Sequence, residues 1–149
     1  MKKLRIYIDM DGVIADFDKA KKLLPEPCKA RPDLHVNYLH LDVISGAYYA
    51  VKYLYENHDV FIASTPPWTR PEVWSDKRVW LEQNFPYLKR KLILTHRKDL
   101  LIGDVLIDDS QYRGQPDFKG EWFWFNKDWT NKDWKACLKF IKKLENEKI

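Results

Sequence analysis

The sequence predicts an α/β fold of three layers, in which helices cover both faces of a parallel β-sheet. Short apolar segments of strand length alternate along the chain with segments of helical periodicity. The chain has 149 residues, of which 45% are hydrophobic, enough for one buried core and too few for a second domain of ordinary size. We therefore expect a single domain that spans residues 1–149.

The strands are predicted where apolar residues run together between turn-forming residues. In chain order they are residues 4–9, 60–64, 91–95, 105–108 and 121–126. Most of these runs are short and apolar throughout rather than alternating, which is typical of strands that are buried on both faces.

Helices are predicted where apolar residues recur at spacings of three and four. A segment at residues 25–37 carries three prolines and no clear period, so we interpret it as a small insertion. The three predicted apolar helix faces consist of Val43, Ala47, Ala50, Val51 and Leu54; of Val73, Trp74, Trp80, Leu81 and Phe85; and of Trp134, Cys137, Leu138, Ile141 and Leu144.

The composition argues against several classes of protein. The chain has no run of about 18 apolar residues and no long apolar stretch at its start, so we expect a cytoplasmic protein without a membrane partner. The formal net charge of +4 is mild and does not demand a nucleic-acid partner. Cys28 and Cys137 fit no zinc or disulfide pattern, so we expect reduced thiols, and the four histidines show no ligand spacing.

Polar side chains lie at the carboxyl ends of three of the predicted strands. Because the carboxyl ends of parallel strands meet at one edge of a sheet, we expect these side chains to lie close together. Carboxylates crowded in this way repel one another unless a cation neutralises them, and oxygen ligands of this kind suit Mg²⁺. The residues are Asp9 and Asp11 at the end of the first strand, Ser64 and Thr65 at the end of the second, and Asp108 and Asp109 at the end of the fourth.

Each of these groups also has a purely structural interpretation. Aspartate often caps turns and helices, so an isolated Asp9-x-Asp11-Gly12 pattern does not by itself distinguish a site from a turn. Ser64 and Thr65 have the same alternative, because a hydroxyl at a strand end often caps the following turn. The coincidence of three strand ends favours a functional site.

The segment after the first strand resembles the first motif of the haloacid dehalogenase superfamily of phosphatases. Ser64-Thr65 is similar to the second motif and Ile107-Asp108-Asp109 to the fourth, in the order that the superfamily requires. Within the superfamily, the chain resembles the 5'(3')-deoxyribonucleotidases, which hydrolyse nucleoside monophosphates, over most of residues 4–110. The shared segments are Asp9-Met10-Asp11-Gly12-Val13-Ile14-Ala15-Asp16-Phe17, Lys77-Arg78-Val79-Trp80-Leu81-Glu82, and Ile93-Leu94-Thr95 followed by Lys98 and by Asp104-Val105-Leu106-Ile107-Asp108-Asp109.

This resemblance implies a Rossmann-like parallel sheet with a small cap inserted at about residues 18–41, and the activity of a Mg²⁺-dependent phosphomonoesterase. Asp9 would be the nucleophile that forms an aspartyl phosphate, while Asp11 would protonate the leaving hydroxyl and later activate water. Mg²⁺ would be held by Asp9, by the backbone carbonyl of Asp11 and by Asp109. Asp108 would be a further ligand or would support the others.

Two lysines are candidates for the cation that binds the phosphate. Lys77 lies at helical spacing from Trp80 and Leu81, which predicts a buried stem and a charge that needs a partner. The family pattern also puts the phosphate-binding lysine at Lys77, so we prefer it as the catalytic lysine and assign Lys98 to the substrate or the acidic cluster. By the same resemblance, Ser64 and Thr65 would bind the phosphate oxygens through a hydroxyl and backbone N–H groups.

Recognition of the substrate is assigned to aromatic residues. Phe17 holds the position of a phenylalanine that lies against the nucleobase in the deoxyribonucleotidases, and ordinary core packing is its alternative. Tyr38 is the one aromatic residue in the cap interval, and Trp68 follows the second motif; both are weaker candidates. The expected partner is a small phosphomonoester, with a nucleoside monophosphate in first place.

Two rival functions stay open. A short cap leaves the cleft open, so the same chemistry could act on a larger phosphorylated molecule such as a sugar phosphate or a nucleic-acid end. A protein that keeps the fold and the metal without turnover is the second rival, disfavoured because Asp9, Asp11, Lys77 and Asp109 are all present. The sequence does not decide between a monomer and a homodimer.

Overall fold

A single five-stranded sheet forms the centre of the computed structural model, which describes residues 1–147. The strand order is β3-β2-β1-β4-β5, and all four pairings are parallel. This arrangement confirms the predicted α/β class and puts every carboxyl end on one edge of the sheet. The strands are β1 (Arg5–Ile8), β2 (Asp59–Ser64), β3 (Leu92–Leu94), β4 (Val105–Asp108) and β5 (Glu121–Trp124).

Three long helices and two short ones accompany the sheet. The predicted insertion at residues 25–37 contains only short helical turns, in keeping with its prolines. The helices are α1 (Phe17–Lys22), α2 (Pro32–His35), α3 (Ala47–Asn57), α4 (Pro71–Asn84) and α5 (Trp134–Glu147). Single 3₁₀ turns occupy Glu26–Cys28, Tyr38–His40, Pro86–Leu88, Lys98–Leu100 and Gln115–Asp117.

The two faces of the sheet are covered in different ways. Ile6 and Ile8 of β1 belong to the large core cluster, to which α3, α4 and α5 all contribute. Tyr7 points to the other face, where a smaller cluster includes Leu106, Phe118 and Trp122. The connections that follow β3 and β4 contain only 3₁₀ turns, so this second outer layer is built from loops and aromatic side chains.

Two of the predicted element boundaries differ from the structure by more than one residue. Val43 does not belong to α3, because Gly46 takes a left-handed conformation (φ +84°) at the N-cap and the helix begins only at Ala47. Val43 instead forms an isolated antiparallel bridge with Ala15. The last strand ends at Trp124 rather than at Asn126, which has a positive φ of 63°.

Candidate active site

The carboxyl ends of β1, β2 and β4 bring the predicted polar residues to one cleft. Its volume is about 690 Å³, and Asp9, Asp11, Thr65, Asp108 and Asp109 are among the residues that line it. The central position of β1, between β2 and β4, explains why its aspartates meet residues from both neighbours. The predicted convergence of strand ends is therefore present in the structure.

The loop after β1 is folded tightly around Gly12. The backbone N–H groups of Val13, Ile14 and Ala15 all donate to the Met10 carbonyl, at 2.9 to 3.2 Å. Gly12 has φ +81°, and a Cβ at this position would lie 1.9 Å from Oδ2 of Asp109. Glycine is therefore required at position 12 for two reasons: the backbone is left-handed, and a side chain would occupy the space that Asp109 fills.

Three carboxylates form a cluster at the floor of the cleft. Oxygen atoms of Asp9, Asp108 and Asp109 lie within 4.8 Å of one another. Burial, together with the Asp108 charge, raises the pKa of Asp9 to about 6. Burial and the nearby Asp9 raise the pKa of Asp109 to about 8. The cluster therefore carries more negative charge than its surroundings stabilise, which is the condition that favours a bound cation.

Lys98 is the cation that reaches this cluster. It begins the 3₁₀ turn after β3 and is buried, and its Nζ donates to Oδ1 of Asp9 at 2.9 Å and to Oδ2 of Asp108 at 2.5 Å. Burial lowers the pKa of this ammonium, but the two carboxylates outweigh that effect and raise the pKa above its ordinary value. Lys98 therefore stays charged, and it neutralises only part of the cluster.

Lys77 is the second buried lysine, and it contacts a different carboxylate. Its Nζ, at the inner face of α4, donates to Oδ2 of Asp11 at 2.9 Å and lies 5.1 Å from the centre of the Tyr38 ring. The predicted burial of the Lys77 stem is confirmed, since the residue is 1% exposed. The other oxygen of Asp11, Oδ1, is buried and has no hydrogen-bond partner among residues 1–147.

The two hydroxyls after β2 have different environments. Thr65 donates its hydroxyl to the Thr95 carbonyl at 2.7 Å, which ties the end of β2 to the end of the neighbouring β3 and does not cap the turn that follows β2. The Ser64 hydroxyl is buried and finds no partner in the described part of the chain. The assignment of both residues to phosphate binding stays a prediction.

The aromatic candidates line the same cleft. The ring centres of Phe17 and Tyr38 are 5.7 Å apart, and Tyr38 is buried. Arg70, at the start of α4, donates to the carbonyls of Asp33 and Val36 at 3.2 and 2.8 Å, which fastens the inserted segment over this side of the cleft. Trp68 is 77% exposed at the rim.

Several residues that contribute to the site were not predicted from the sequence. Arg31, Tyr112, Arg113 and Gln115 also line the cleft, and the last three belong to the loop that follows Asp109. Gln115 is buried and accepts the Arg113 N–H at 2.7 Å. Their position in the sequence was the one available signal. A loop that directly follows a strand ending in candidate metal ligands is expected to run beside the site.

Three features of the cluster fit a magnesium ion. The available donors are carboxylate oxygens, which Mg²⁺ prefers. No N–H among the described residues donates to the backbone carbonyl of Asp11, so this oxygen is free to act as a ligand. The missing Cβ of Gly12 leaves room for Asp109 to turn toward Asp9.

The fold is similar to that of a hydrolase of the haloacid dehalogenase type. A structural comparison finds YfnB of Bacillus subtilis, provisionally described as a HAD-hydrolase and solved bound to magnesium. The TM-score is 0.60, with 13% identity over 87% of this chain and 89% of the other. At this level of identity the match shows the fold alone.

The chain belongs to the family described as "5' nucleotidase, deoxy (Pyrimidine), cytosolic type C protein", which matches residues 30–139. The human cytosolic-type 5'(3')-deoxyribonucleotidase is 31% identical over 76% of this chain and 75% of its own length. A protein of Vibrio phage KVP40, provisionally described by the same activity, is 34% identical over 91% of this chain and 83% of its own length. The predicted membership of a family of phosphomonoester hydrolases is thereby confirmed.

A mitochondrial 5'(3')-deoxyribonucleotidase of Mus musculus is also similar, with 29% identity over 78% of this chain and 67% of its own length. The named relatives thus include cytosolic and mitochondrial proteins. Among residues 1–147, no helix combines the length and the apolar character needed to cross a membrane.

Proposed function

We propose that this protein is a Mg²⁺-dependent phosphomonoesterase that dephosphorylates nucleoside monophosphates, deoxynucleotides in first place, through an aspartyl-phosphate intermediate. The observation that carries the proposal is the cluster of Asp9, Asp108 and Asp109 with Lys98 between two of its members, beside Asp11 and at the floor of an open cleft. Family membership supports the class of substrate.

Mg²⁺ would be held by a carboxylate oxygen of Asp9, the free backbone carbonyl of Asp11 and the carboxylate of Asp109. Asp108 is fully buried and bonded to Lys98, so it supports the lysine and completes the negative field around the ion. The ion would supply positive charge, which lets a phosphate dianion approach a carboxylate that would otherwise repel it.

The covalent step needs a nucleophile and an acid on the same loop. A carboxylate oxygen of Asp9 attacks phosphorus, the bond between phosphorus and the ester oxygen breaks, and Asp11 gives its proton to the departing oxygen. Asp11 then takes a proton from a water molecule whose oxygen attacks the phosphorus. The bond from phosphorus to Asp9 breaks, and inorganic phosphate leaves.

The geometry supports separate tasks for the two lysines. Lys98 lines the cleft and touches Asp9, so it lies where an incoming phosphate would meet the nucleophile. Lys77 bonds Asp11, so it orients the proposed acid. The sequence-based preference for Lys77 as the phosphate ligand stays a prediction, and comparison of Lys77→Met with Lys98→Met tests it. A larger rise in KM for the Lys98 variant would assign the phosphate to Lys98.

We propose that the aromatic side of the cleft selects the substrate. Phe17 and Tyr38 offer rings against which a nucleobase could stack. A second observation favours the alternative of a larger substrate: Trp68 and Tyr112 also line the cleft and are 77% and 75% exposed, so their rings are available to a substrate that extends out of it.

Phosphate release from deoxynucleoside monophosphates, sugar phosphates and a 3'-phosphorylated oligonucleotide, with Mg²⁺ and with EDTA, tests the proposal. We expect Mg²⁺-dependent release with a preference for the mononucleotides, and a loss of about 1,000-fold or more in Asp9→Asn. Asp117→Asn is the matched control, since Asp117 is exposed and lies outside the residues that line the cleft. A preference for the oligonucleotide or for sugar phosphates would show that mononucleotides are not the preferred substrates. Undiminished activity in Asp9→Asn would show that Asp9 is not the nucleophile.

A further inference from the structure

Two tryptophans of the edge strand β5 reach the backbone of the proposed metal ligands. Nε1 of Trp122 donates to the Asp108 carbonyl, and Nε1 of Trp124 donates to the Asp109 carbonyl, both at 3.2 Å. Residues two apart on a strand share one face of a sheet, so both indoles lie on the face that no α-helix of the described chain covers. Neither indole N–H donates to the carboxylates themselves.

The two indoles form a rigid unit. Their rings stack with centres 4.6 Å apart and an angle of 18° between the planes. Trp122 packs into the smaller core cluster with Tyr7 and Phe118, and the Lys127 ammonium lies 4.7 Å from the centre of the Trp124 ring. Trp124 is therefore held by a packed neighbour, and its N–H direction is fixed by packing rather than by solvent.

Asp109 depends on this support more than the other two carboxylates do. Lys98 fixes the side chains of Asp9 and Asp108 through direct bonds. Within residues 1–147, no N–H group or hydroxyl donates to the Asp109 carboxylate, and the bond from Trp124 is the one hydrogen bond that its carbonyl accepts. Apart from its contact with the Asp9 carboxyl group, the Asp109 carboxylate is therefore directed by the backbone conformation at Asp109.

We propose that Trp124, stacked on Trp122, is a positioning residue that aims the Asp109 carboxylate at the Mg²⁺ site. This inference rests on the proposed function for the presence of the ion. The Trp124 N–H holds the peptide plane that follows Asp109, and the Trp122 N–H holds the plane that precedes it. Together the two planes fix the direction in which the Asp109 side chain leaves the backbone. Supports of this kind, one step removed from the ligands, affect metal affinity strongly in other proteins.

The substitution Trp124→Phe tests the proposal, because it keeps an aromatic ring for the stack and removes the N–H donor. Trp129→Phe is the matched control. Trp129 lies in the loop that follows the same strand, is 83% exposed, and has a Lys132 ammonium 5.0 Å from its ring centre. It therefore resembles Trp124 in its contact with a lysine but donates no hydrogen bond within the described chain.

Isothermal titration with Mg²⁺ alone gives the first readout. We expect the dissociation constant to rise about 10-fold in Trp124→Phe and to stay at the wild-type value in Trp129→Phe, with equal thermal midpoints of the two variants in EDTA. Equal affinities in the two variants, or a rise in Trp124→Phe matched by a loss of stability in EDTA, would overturn the proposal.

The indole ¹⁵N–¹H resonances of the wild-type chain give a second readout that needs no folded variant of Trp124. Saturating Mg²⁺ should shift the Trp124 resonance and leave the exposed Trp129 resonance in place. An unmoved Trp124 resonance in a protein that binds Mg²⁺ would contradict the positioning role alone. Failure of the wild-type chain to bind Mg²⁺ would overturn the proposed metal site, and the positioning role with it.

Discussion

The two ends of the sheet carry charged groups that are balanced in opposite ways. At the amino end, the half-buried Asp59 carboxylate accepts hydrogen bonds from Arg5 and Lys91 at 3.2 and 3.5 Å. The buried Glu145 carboxylate accepts from His58 at 2.7 Å and from Tyr53 at 3.0 Å. Each of these acidic groups has its partner within the chain.

At the carboxyl end, the ammonium of Lys98 bonds two of the three clustered carboxylates, and one oxygen of Asp11 has no partner in the described residues. A fold selected for stability alone would not keep this surplus charge, because every unbalanced buried charge costs free energy. This difference supports a stabilising role for the balanced groups at the amino end and, for the surplus charge at the carboxyl end, the cation that we propose.

The largest expected effect comes from closing the space beside the acidic cluster. In Gly12→Ala, the new Cβ would collide with Asp109, so we expect Mg²⁺ affinity and phosphate release to fall about 100-fold. Titration calorimetry and a phosphate-release assay measure the two losses.

Gly46→Ala is the matched control for Gly12→Ala. Gly46 has almost the same φ, but the nearest atom to an alanine methyl group at this position, Cβ of Trp134, would be 3.4 Å away. This variant should lose about 1–2 kcal/mol of stability from backbone strain and keep its Mg²⁺ affinity. Equal losses of affinity would show that strain rather than the collision is responsible.

At the amino end, Glu145→Ala should cost stability rather than function. The Leu4 N–H donates to Nδ1 of His58 at 3.0 Å, so the proton on this ring lies on Nε2 and would lose its acceptor. We expect a loss of about 3 kcal/mol in the free energy of unfolding, measured in urea. Glu147→Ala, on the exposed side of α5, should change it by less than about 0.5 kcal/mol. Loss of Mg²⁺ affinity in Glu145→Ala would contradict the separation of the two ends.

Protons should compete with Mg²⁺ at the carboxyl end. The pKa values of Asp9 and Asp109 are raised to about 6 and about 8, so these carboxyls hold protons at a higher pH than ordinary aspartates do. Binding of the ion must release them, so the affinity should rise with pH between 6 and 8, by up to about 10-fold per pH unit. Titration calorimetry in buffers of different ionisation enthalpy counts the protons released. An affinity independent of pH would contradict the crowding of these carboxylates.

The smallest expected effect is a gain in stability of the metal-free protein. Because the pKa of Asp109 is higher in the folded state than in the unfolded state, its ionisation lowers stability as pH rises from about 4 to about 8. Asp109→Asn removes this charge and should raise the free energy of unfolding by about 1 kcal/mol in EDTA at pH 8. Asp117→Asn should leave it unchanged. A loss of stability in Asp109→Asn would show that the carboxylate is not in surplus.

The fold was predictable from the sequence because its strands are apolar runs in a regular order. All five strands and the three long helices lie where periodicity predicts them, and the strand ends put Asp9, Asp108 and Asp109 together. The position of Val43 was not predictable, because an apolar residue at helical spacing does not reveal the left-handed turn at Gly46 that delays the helix.

The roles within the site were harder to predict than its location. Lys98 stands between Arg97 and Asp99 in the sequence, a polar context that suggests exposure, yet it is buried because Asp9 and Asp108 bind its ammonium. The contacts of Trp122 and Trp124 depend on which face of an edge strand adjoins the loop after β4, and alternation along a strand does not distinguish the two faces.

The central claim is that the surplus charge at the carboxyl end serves phosphoryl transfer to Asp9. Rapid quenching of the wild-type protein with dUMP labelled in its phosphate, followed by peptide mapping, tests this directly. We predict protein-bound label on Asp9 when Mg²⁺ is present, none in EDTA and none in Asp9→Asn. Release of labelled phosphate by Asp9→Asn at the wild-type rate, or label on a different residue, would contradict the account.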